Sequence, residues 1–293
     1  MVEANRARIM DGAALARKIS EGTARRAADL GGRIGRPPCL AAVLVGDDPA
    51  SLTYVRMKQR RCESVGVRSL ITRLPAVSTT AEVVEVITRL SEDPSVDGIL
   101  LQHPVPDHID ERAAFEAIHP DKDVDGVTTH SFASMAFDLP GFSSCTPAGI
   151  MRLLDEYGVD PSGRHAVVIG RSPILGKPVG MLLLARDATV TFCHSHTSDL
   201  PGIVGSANIV VAAVGKPNFV RGGWLKAGAV VIDAGYSDGT VGDVAFDEAV
   251  RVAGLISPVP GGVGPMTIAM LMEQTVLAAE RHASGPTVLP GRL

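Results

Sequence analysis

The chain is poor in aromatic residues, with one tryptophan, three tyrosines and seven phenylalanines among 293 residues. Its core must therefore be built from Val, Ile, Leu and Ala, a composition suited to buried parallel strands. Cysteine is scarce as well. Cys39, Cys62, Cys145 and Cys193 lie far apart with no CxxC pair, which excludes a disulfide scaffold and points to reduced, semi-buried thiols in a cytoplasmic protein. No long basic run occurs and the formal net charge is -4, so nucleic acid is not an expected partner. The N-terminus has no apolar signal core, and runs such as 208–214 (NIVVAAV) are too short to cross a bilayer. No membrane association is expected. Internal repeats and low-complexity stretches are missing too.

What is present is strand and helix in alternation, the pattern of parallel sheets with crossover helices. Asp11 is placed to cap a helix from about 12 to 30. Strands are expected at 40–46, 67–74 and 97–102, with helices at 50–65, 79–92 and 111–118 between and after them. The stretch 119–146 is rich in turn and polar residues, and there the alternation pauses. It resumes with a helix near 147–157, a strand at 165–170, a helix at 178–186 and strands at 188–193, 208–213 and 229–233. A final helix is expected at 265–283. The fold class is α/β, in two units.

The second unit carries a nucleotide-binding signal. A strand, a glycine turn and a helix open a Rossmann unit, because glycine lets the backbone approach a pyrophosphate and the helix N-terminus supplies partial positive charge. Here the turn is Gly170-Arg171-Ser172-Pro173-Ile174-Leu175-Gly176. It is not GxGxxG, and a glycine at such a turn serves packing alone in many parallel-sheet proteins. NAD enzymes place an acid about 20 residues beyond the loop, on the ribose hydroxyl. This chain places Cys193-His194-Ser195-His196-Thr197 there, with Arg171 in the first loop. Donors and a cation in place of an acid favour a 2′-phosphate, hence NADP. The plain reading of His194 and His196 is a solvated loop. As metal ligands they offer only two nitrogens, with nothing nearby to complete a set, so no metal is expected.

The first unit carries a chemical signal. Tyr54 and Lys58 lie four apart on one helix face, with Ser51 on the same side; an ordinary solvated face reads the same way. Gln102 and Pro104 follow the strand 97–101, at the end where parallel sheets put their ligands. Asp123, Asp125 and Gly126 stand in the loop Lys122-Asp123-Val124-Asp125-Gly126. An unperturbed lysine titrates at about 10.4, so Lys58 needs desolvation to act as a base near neutrality. The stretch 257–267 (SPVPGGVGPMT) is either a structural loop or one whose backbone groups touch ligands.

Together these segments resemble the bifunctional methylenetetrahydrofolate dehydrogenase/cyclohydrolase family. The matching motifs are YVRMK (54–58), Gln-x-Pro (102–104), KDVDG (122–126), CTPAG (145–149), GRSPILGKP (170–178), ATVTFCHSHT (188–197), GDV (242–244) and PVPGGVGPMT (258–267), in family order across most of residues 10–280. The resemblance implies an N-terminal folate-binding catalytic domain over 1–146, completed by the last helix returning at 266–293. It implies a Rossmann-like NADP domain over 147–265, a cytoplasmic homodimer, and tetrahydrofolate derivatives as small-molecule substrates. Lys58 matches the family's catalytic lysine and Gln102 its partner. Tyr54 matches the aromatic that stacks on the pterin, and Asp125 the acid on the pterin's amino edge. Ser51, Gly264, Pro265 and Thr267 fall in substrate-binding positions; Gly170, Arg171, Ser172, Gly176, His194, Ser195 and Thr197 fall in NADP-binding ones.

The implied chemistry is oxidation of 5,10-methylenetetrahydrofolate to the methenyl cation, then hydrolysis to 10-formyltetrahydrofolate with Lys58, tuned by Gln102, moving protons. There are two departures from the family. His103 stands where leucine is common, and Tyr236-Ser237 stands where Ile-Asn is common. Two alternatives follow: a dehydrogenase with a cyclohydrolase step weakened by His103, and a non-catalytic folate- or NADP-binding protein, which the retention of Lys58, Gln102 and Asp125 argues against. A shikimate-type dehydrogenase shares the two-domain plan but does not explain KDVDG together with PGGVGPMT.

Overall fold

The computed structural model describes residues 6–237 and 240–285, and of residues 49–54 the backbone alone. The chain is α/β and divides into two compact units. One takes the chain up to Arg17 and Ala133–Met270; the other takes Lys18–Phe132 and the chain from Leu271 onward.

The strands in chain order are β1 (Arg8–Ile9), β2 (Cys39–Val45), β3 (Arg68–Leu74), β4 (Gly98–Leu101), β5 (His165–Ile169), β6 (Thr189–Cys193), β7 (Ile209–Ala212), β8 (Val230–Asp233) and β9 (Leu255–Ile256). The helices are α1 (Gly12–Ile34), α2 (Pro49–Ser64), α3 (Thr80–Glu92), α4 (Glu111–Glu116), α5 (Thr129–Ala136), α6 (Cys145–Glu156), α7 (Gly176–Leu184), α8 (Leu200–Ser206), α9 (Phe246–Ala249) and α10 (Val263–Ser284).

The smaller sheet has the order β3-β2-β4, all parallel. Its central strand, CLAAVLV, is buried at every position, as a strand covered on both faces requires. Helix α3 is fixed in place by a capping box: Glu82 N–H donates to the Thr79 hydroxyl, and the Glu82 carboxylate accepts from Thr79 N–H. The last helix returns to this unit. Arg26 of α1 pairs with Glu280 of α10 at 2.6 Å, and Gln274 Nε2 donates to the Val124 carbonyl at 2.7 Å.

At the amino ends of β2 and β4 the unit is tied by Asp97, which is fully buried. Its carboxylate accepts from Arg36 at 2.6 and 2.9 Å, from Cys39 N–H at 2.8 Å, and lies 3.3 Å from His282 Nδ1. Burial opposes its ionisation, but the Arg36, His282 and Cys39 hydrogen bonds outweigh burial and hold Asp97 down to about 2.

The larger sheet has the order β1-β9-β8-β7-β5-β6, also all parallel. Its core is aliphatic, with Val167, Val210, Val231 and Ile256 wholly buried, each worth about 1.5–3 kcal/mol when removed from water. Asp11 caps α1 as its sequence position predicts, accepting from Ala14 N–H at 2.8 Å. The four cysteines are buried and form no disulfide. Burial raises the thiols of Cys39 and Cys193, and pushes Cys62 up to about 12.

Several elements differ from the sequence expectation. Helix α1 runs four residues past Leu30 and stops at Gly35, whose φ of +73° makes it the left-handed terminator. The stretch 119–146 holds a 3-10 turn at Pro120–Lys122 and the helix α5. Helix α6 opens two residues early, at Cys145. Strands β1 and β9, of two residues each, and helices α8 and α9 were not expected. No described helix is long and apolar enough to cross a membrane.

Candidate functional site

In the smaller unit the chemistry-bearing groups meet at the carboxyl end of β4. Gln102 continues the strand, its N–H donating to Val43 O at 2.8 Å, and its side chain is buried. Lys58, half-buried on α2, donates from Nζ to Gln102 Oε1 at 2.9 Å. Gln102 Nε2 in turn donates to the His103 carbonyl at 2.8 Å. An amide has one accepting and one donating end. The main-chain carbonyl of His103 takes the donating end, and this turns the oxygen toward the lysine. The His103 ring does not enter this chain of contacts; it lies edge-on to Phe115 with centroids 6.3 Å apart. The sequence departure at 103 therefore leaves the orienting group of Gln102 in place.

The KDVDG loop splits into separate roles. Lys122 is buried, donates to the carbonyls of Leu90 and Asp93, and has its pKa lowered by burial. The buried Asp123 carboxylate accepts from Val127 N–H, Thr128 N–H and the Ser131 hydroxyl at 2.6–3.0 Å, which anchors the start of α5. Asp125 is half-buried and makes no side-chain hydrogen bond among the described residues. The side chains of Ser51 and Tyr54 lie outside the described residues.

In the larger unit the first strand of the nucleotide signal is β5, and the chain turns to opposite sides of it: β6 on one flank, β7 on the other. Dinucleotides bind at such a switch point, beyond the carboxyl ends of the strands. Gly170 sits there with φ +127°, and a Cβ on it would stand 2.2 Å from Ala213 O. A Cβ on Gly176 would stand 2.4 Å from Gly170 O. Both glycines are thus demanded by close backbone approach, and α7 begins at Gly176 with its N-terminus facing this turn. The Ser172 hydroxyl accepts from the N–H groups of Leu175 and Gly176 at 3.2 and 3.3 Å, so its own proton remains available to an acceptor. Arg171 is exposed beside it.

After β6 the residues 194–197 form a tight turn. Thr197 N–H donates to His194 O at 2.9 Å, and its hydroxyl accepts from His194 N–H at 2.8 Å. His196 N–H donates to His194 Nδ1 at 3.2 Å, which places the ring proton of His194 on Nε2. Ser195 is exposed at the crest. The first acid beyond the turn, Asp199, caps α8 by accepting from Gly202 N–H at 3.2 Å, so it is engaged away from a ribose.

Gly264, Pro265 and Thr267 lie in the first turns of α10, in the larger unit, whereas Lys58, Gln102 and Asp125 lie in the smaller one. Thr267 shares a hydroxyl hydrogen bond with Thr146 of α6 at 2.9 Å, which accounts for one position of CTPAG. The Pro/Gly loop before α10 has a structural duty as well: Gly261 O accepts from Ala13 N–H at 2.9 Å.

Sequence reasoning overlooked a pair of buried carboxylates beyond β8. Asp233 accepts from the N–H groups of Gly235, Asp243 and Val244 at 2.9–3.0 Å. Asp243 accepts from Val214, Gly215 and Lys216 N–H at 2.5–2.9 Å. Burial, reinforced by the Asp243 charge, pushes Asp233 up to about 6 despite its three N–H bonds. The sequence traces of this pair are the GDV motif at 242–244, which holds Asp243 but was given no role, and Asp233 ten residues before it. Among the described residues, no group of three or more His, Cys, Asp or Glu is arranged to hold a metal.

Residues 10–125 match the family model for the tetrahydrofolate dehydrogenase/cyclohydrolase catalytic domain, and residues 144–283 match that for its NAD(P)-binding domain. Bifunctional protein FolD 1 of Streptomyces avermitilis is 66% identical over 273 residues, 93% of this chain and 95% of that protein. Among solved structures, the bifunctional FolD enzyme of Campylobacter jejuni superposes with a TM-score of 0.92 at 42% identity, covering 94% of this chain and 99% of that one. The Trypanosoma brucei dehydrogenase-cyclohydrolase, solved with NADP and an inhibitor, gives 0.90 at 38% identity, covering 95% and 99%.

Proposed function

We infer that this chain, which belongs to the tetrahydrofolate dehydrogenase/cyclohydrolase family, oxidises 5,10-methylenetetrahydrofolate with NADP and hydrolyses the methenyl product to 10-formyltetrahydrofolate. The observation that carries this inference is the Lys58–Gln102 contact at the carboxyl end of β4, in a chain that both family models match.

NADP, when bound, supplies the hydride acceptor. The residues present suit it: Gly170 and Gly176 leave room for a pyrophosphate, α7 offers its N-terminus, and Arg171 with His194 and Ser195 offers a cation and donors where an acid would disfavour a 2′-phosphate. Gly170, Ser172, Gly176 and Thr197 are assigned to shaping that site. On the folate side Lys58 is the proton-moving group. It gives or takes a proton at Nζ as water adds to the methenyl carbon and the ring opens, while Gln102 Oε1 holds the ammonium in place. Asp125, with a carboxylate that no described side chain engages, is assigned to the pterin's amino edge. Tyr54 and Ser51 are assigned to substrate binding by their motif, as are Gly264, Pro265 and Thr267.

Residues 1–146, completed by 266–293, are proposed as the catalytic domain and 147–265 as the NADP domain. Support comes from the matched spans and, for 18–132 with the chain beyond 271, from the smaller compact unit; residues 8–17 and 133–146 pack with the larger one. A cytoplasmic homodimer is proposed as the working form; four buried cysteines without a disulfide suit a reducing compartment.

The test follows NADPH and the methenyl intermediate together, for the native chain and Lys58→Met. NADPH without methenyl accumulation in the native chain, and methenyl accumulation in the variant, is the expected pair of results. Methenyl decaying at its uncatalysed rate in the native chain would leave a dehydrogenase alone, and absence of NADPH would remove the enzyme reading. Light scattering tests the dimer.

A further inference from the structure

The switch point between β5 and β7 has two walls. One is the glycine turn after β5. The other is the loop after β7, whose Ala213 carbonyl lies against Gly170 so closely that no Cβ fits between them. Arg171, His194 and Ser195 stand on the β5–β6 flank and are assigned to the adenosine 2′-phosphate. A dinucleotide extended across the strand ends then carries its nicotinamide half the other way, over β7 and β8. The loop it meets first is Val214-Gly215-Lys216.

That loop carries no regular structure, and Gly215 has a φ of +65°. Its N–H groups converge on the Asp243 carboxylate, wholly buried, which accepts from all three residues. Asp243 is itself held through its own N–H, which donates to Asp233 Oδ1 at 2.9 Å. Asp233, the last residue of β8, is tied at its N–H to Ser257 Oγ at 2.8 Å. A rigid strand end thus holds a carboxylate, and that carboxylate sets the shape of the switch-point loop. Two anions buried side by side are an unfavourable way merely to close a turn. Here they are matched by six backbone N–H groups, which makes the arrangement specific to one loop conformation.

We propose that Asp243, seated by Asp233, is a positioning residue for NADP: it holds Val214–Lys216 in the conformation that receives the nicotinamide half. This rests on the NADP-dehydrogenase reading. Asp243→Asn keeps size and one acceptor oxygen but turns an NH2 group toward loop N–H donors. Asp243→Ser keeps one oxygen and adds no bulk.

Both variants are measured for NADP affinity by titration calorimetry, for KM and kcat, for hydrolysis of supplied methenyltetrahydrofolate, which uses no cofactor, and for amide exchange of residues 213–217. The expected result is an NADP Kd and KM raised tenfold or more, kcat changed less than KM, hydrolysis within twofold of native, and faster exchange at 214–216. Faster exchange with an unchanged Kd would overturn the proposal, because the cofactor would then be indifferent to the loop. Loss of hydrolysis and of cooperative unfolding in both variants would overturn it too, making the pair a fold element only. A native chain that fails to bind NADP removes the dehydrogenase reading, and this inference with it.

Discussion

Replacing Asp97 by asparagine should cost stability in a way that depends on pH. The carboxylate is wholly buried and takes both Arg36 nitrogens and Cys39 N–H. Asparagine offers one acceptor oxygen and turns an NH2 group toward the guanidinium. Breaking such a pair from one side costs about 3–5 kcal/mol, because the remaining charge loses its partner. The depressed ionisation of Asp97 gives a second figure. A carboxyl held at about 2 in the fold and near 3.8 when unfolded contributes about 2.4 kcal/mol at neutral pH. The folded value is the lower one, so the contribution is complete above pH 3.8 and disappears as pH falls toward 2. About 1 kcal/mol of it should be gone by pH 3. Urea unfolding followed by circular dichroism, native against Asp97→Asn, at pH 7, 5, 4 and 3, measures this. Taking the difference between the two proteins cancels titrating groups that do not touch Asp97, Asp233 included. The gap should be 3 kcal/mol or more at pH 7 and should narrow by about 1 kcal/mol at pH 3. A gap below 1 kcal/mol, or one that does not change with pH, would refute the reasoning. Methenyl hydrolysis under folding conditions should survive, since Asp97 and Gln102 lie about 16 Å apart along the strand.

Gln102→Ala should slow methenyl hydrolysis by about 100-fold, as expected for loss of support to a proton-transfer group; NADPH formation should fall less, and equal losses would mean that Gln102 acts in both steps. Arg171→Ala should raise the NADP KM by about tenfold, the worth of one charge-assisted contact, and leave that for NAD unchanged; parallel changes would place the arginine off the 2′-phosphate. Gly170→Ala should abolish NADP binding in calorimetry, because its Cβ would stand 2.2 Å from Ala213 O. Unaltered affinity would mean that the two strand ends yield freely.

Long, regular features could be read from the sequence. The all-apolar CLAAVLV run and the glycine turn at 170–176 announced themselves by composition, and the structure gives physical reasons for both: burial on two faces, and backbone approach that excludes a Cβ. Lys58 and Gln102 were each placed by simple rules of helix face and strand end, and the fold puts them 2.9 Å apart. Their orientation was not readable, because it depends on a main-chain carbonyl that every residue type possesses. Helix α5 was missed because it is short and lies in a turn-rich stretch; its start is held by the Asp123 carboxylate upstream and by the Thr128 hydroxyl, which accepts from Ser131 N–H at 3.1 Å. Strands β1 and β9 are two residues long and carry no periodicity to detect. The Asp233–Asp243 pair stayed hidden because its meaning lies in six N–H groups spread over three chain segments.

The buried thiols make the protein its own cysteine-free background for labelling. Thiolate is the reactive form, and burial withdraws it from Cys39, Cys62 and Cys193, while Cys145 is shut from solvent. A cysteine introduced at Val77, 85% exposed in the smaller unit, and another at Leu139, 59% exposed in the larger, would take maleimide dyes ahead of the native four. Dyes could then be placed on each unit without first removing a native cysteine.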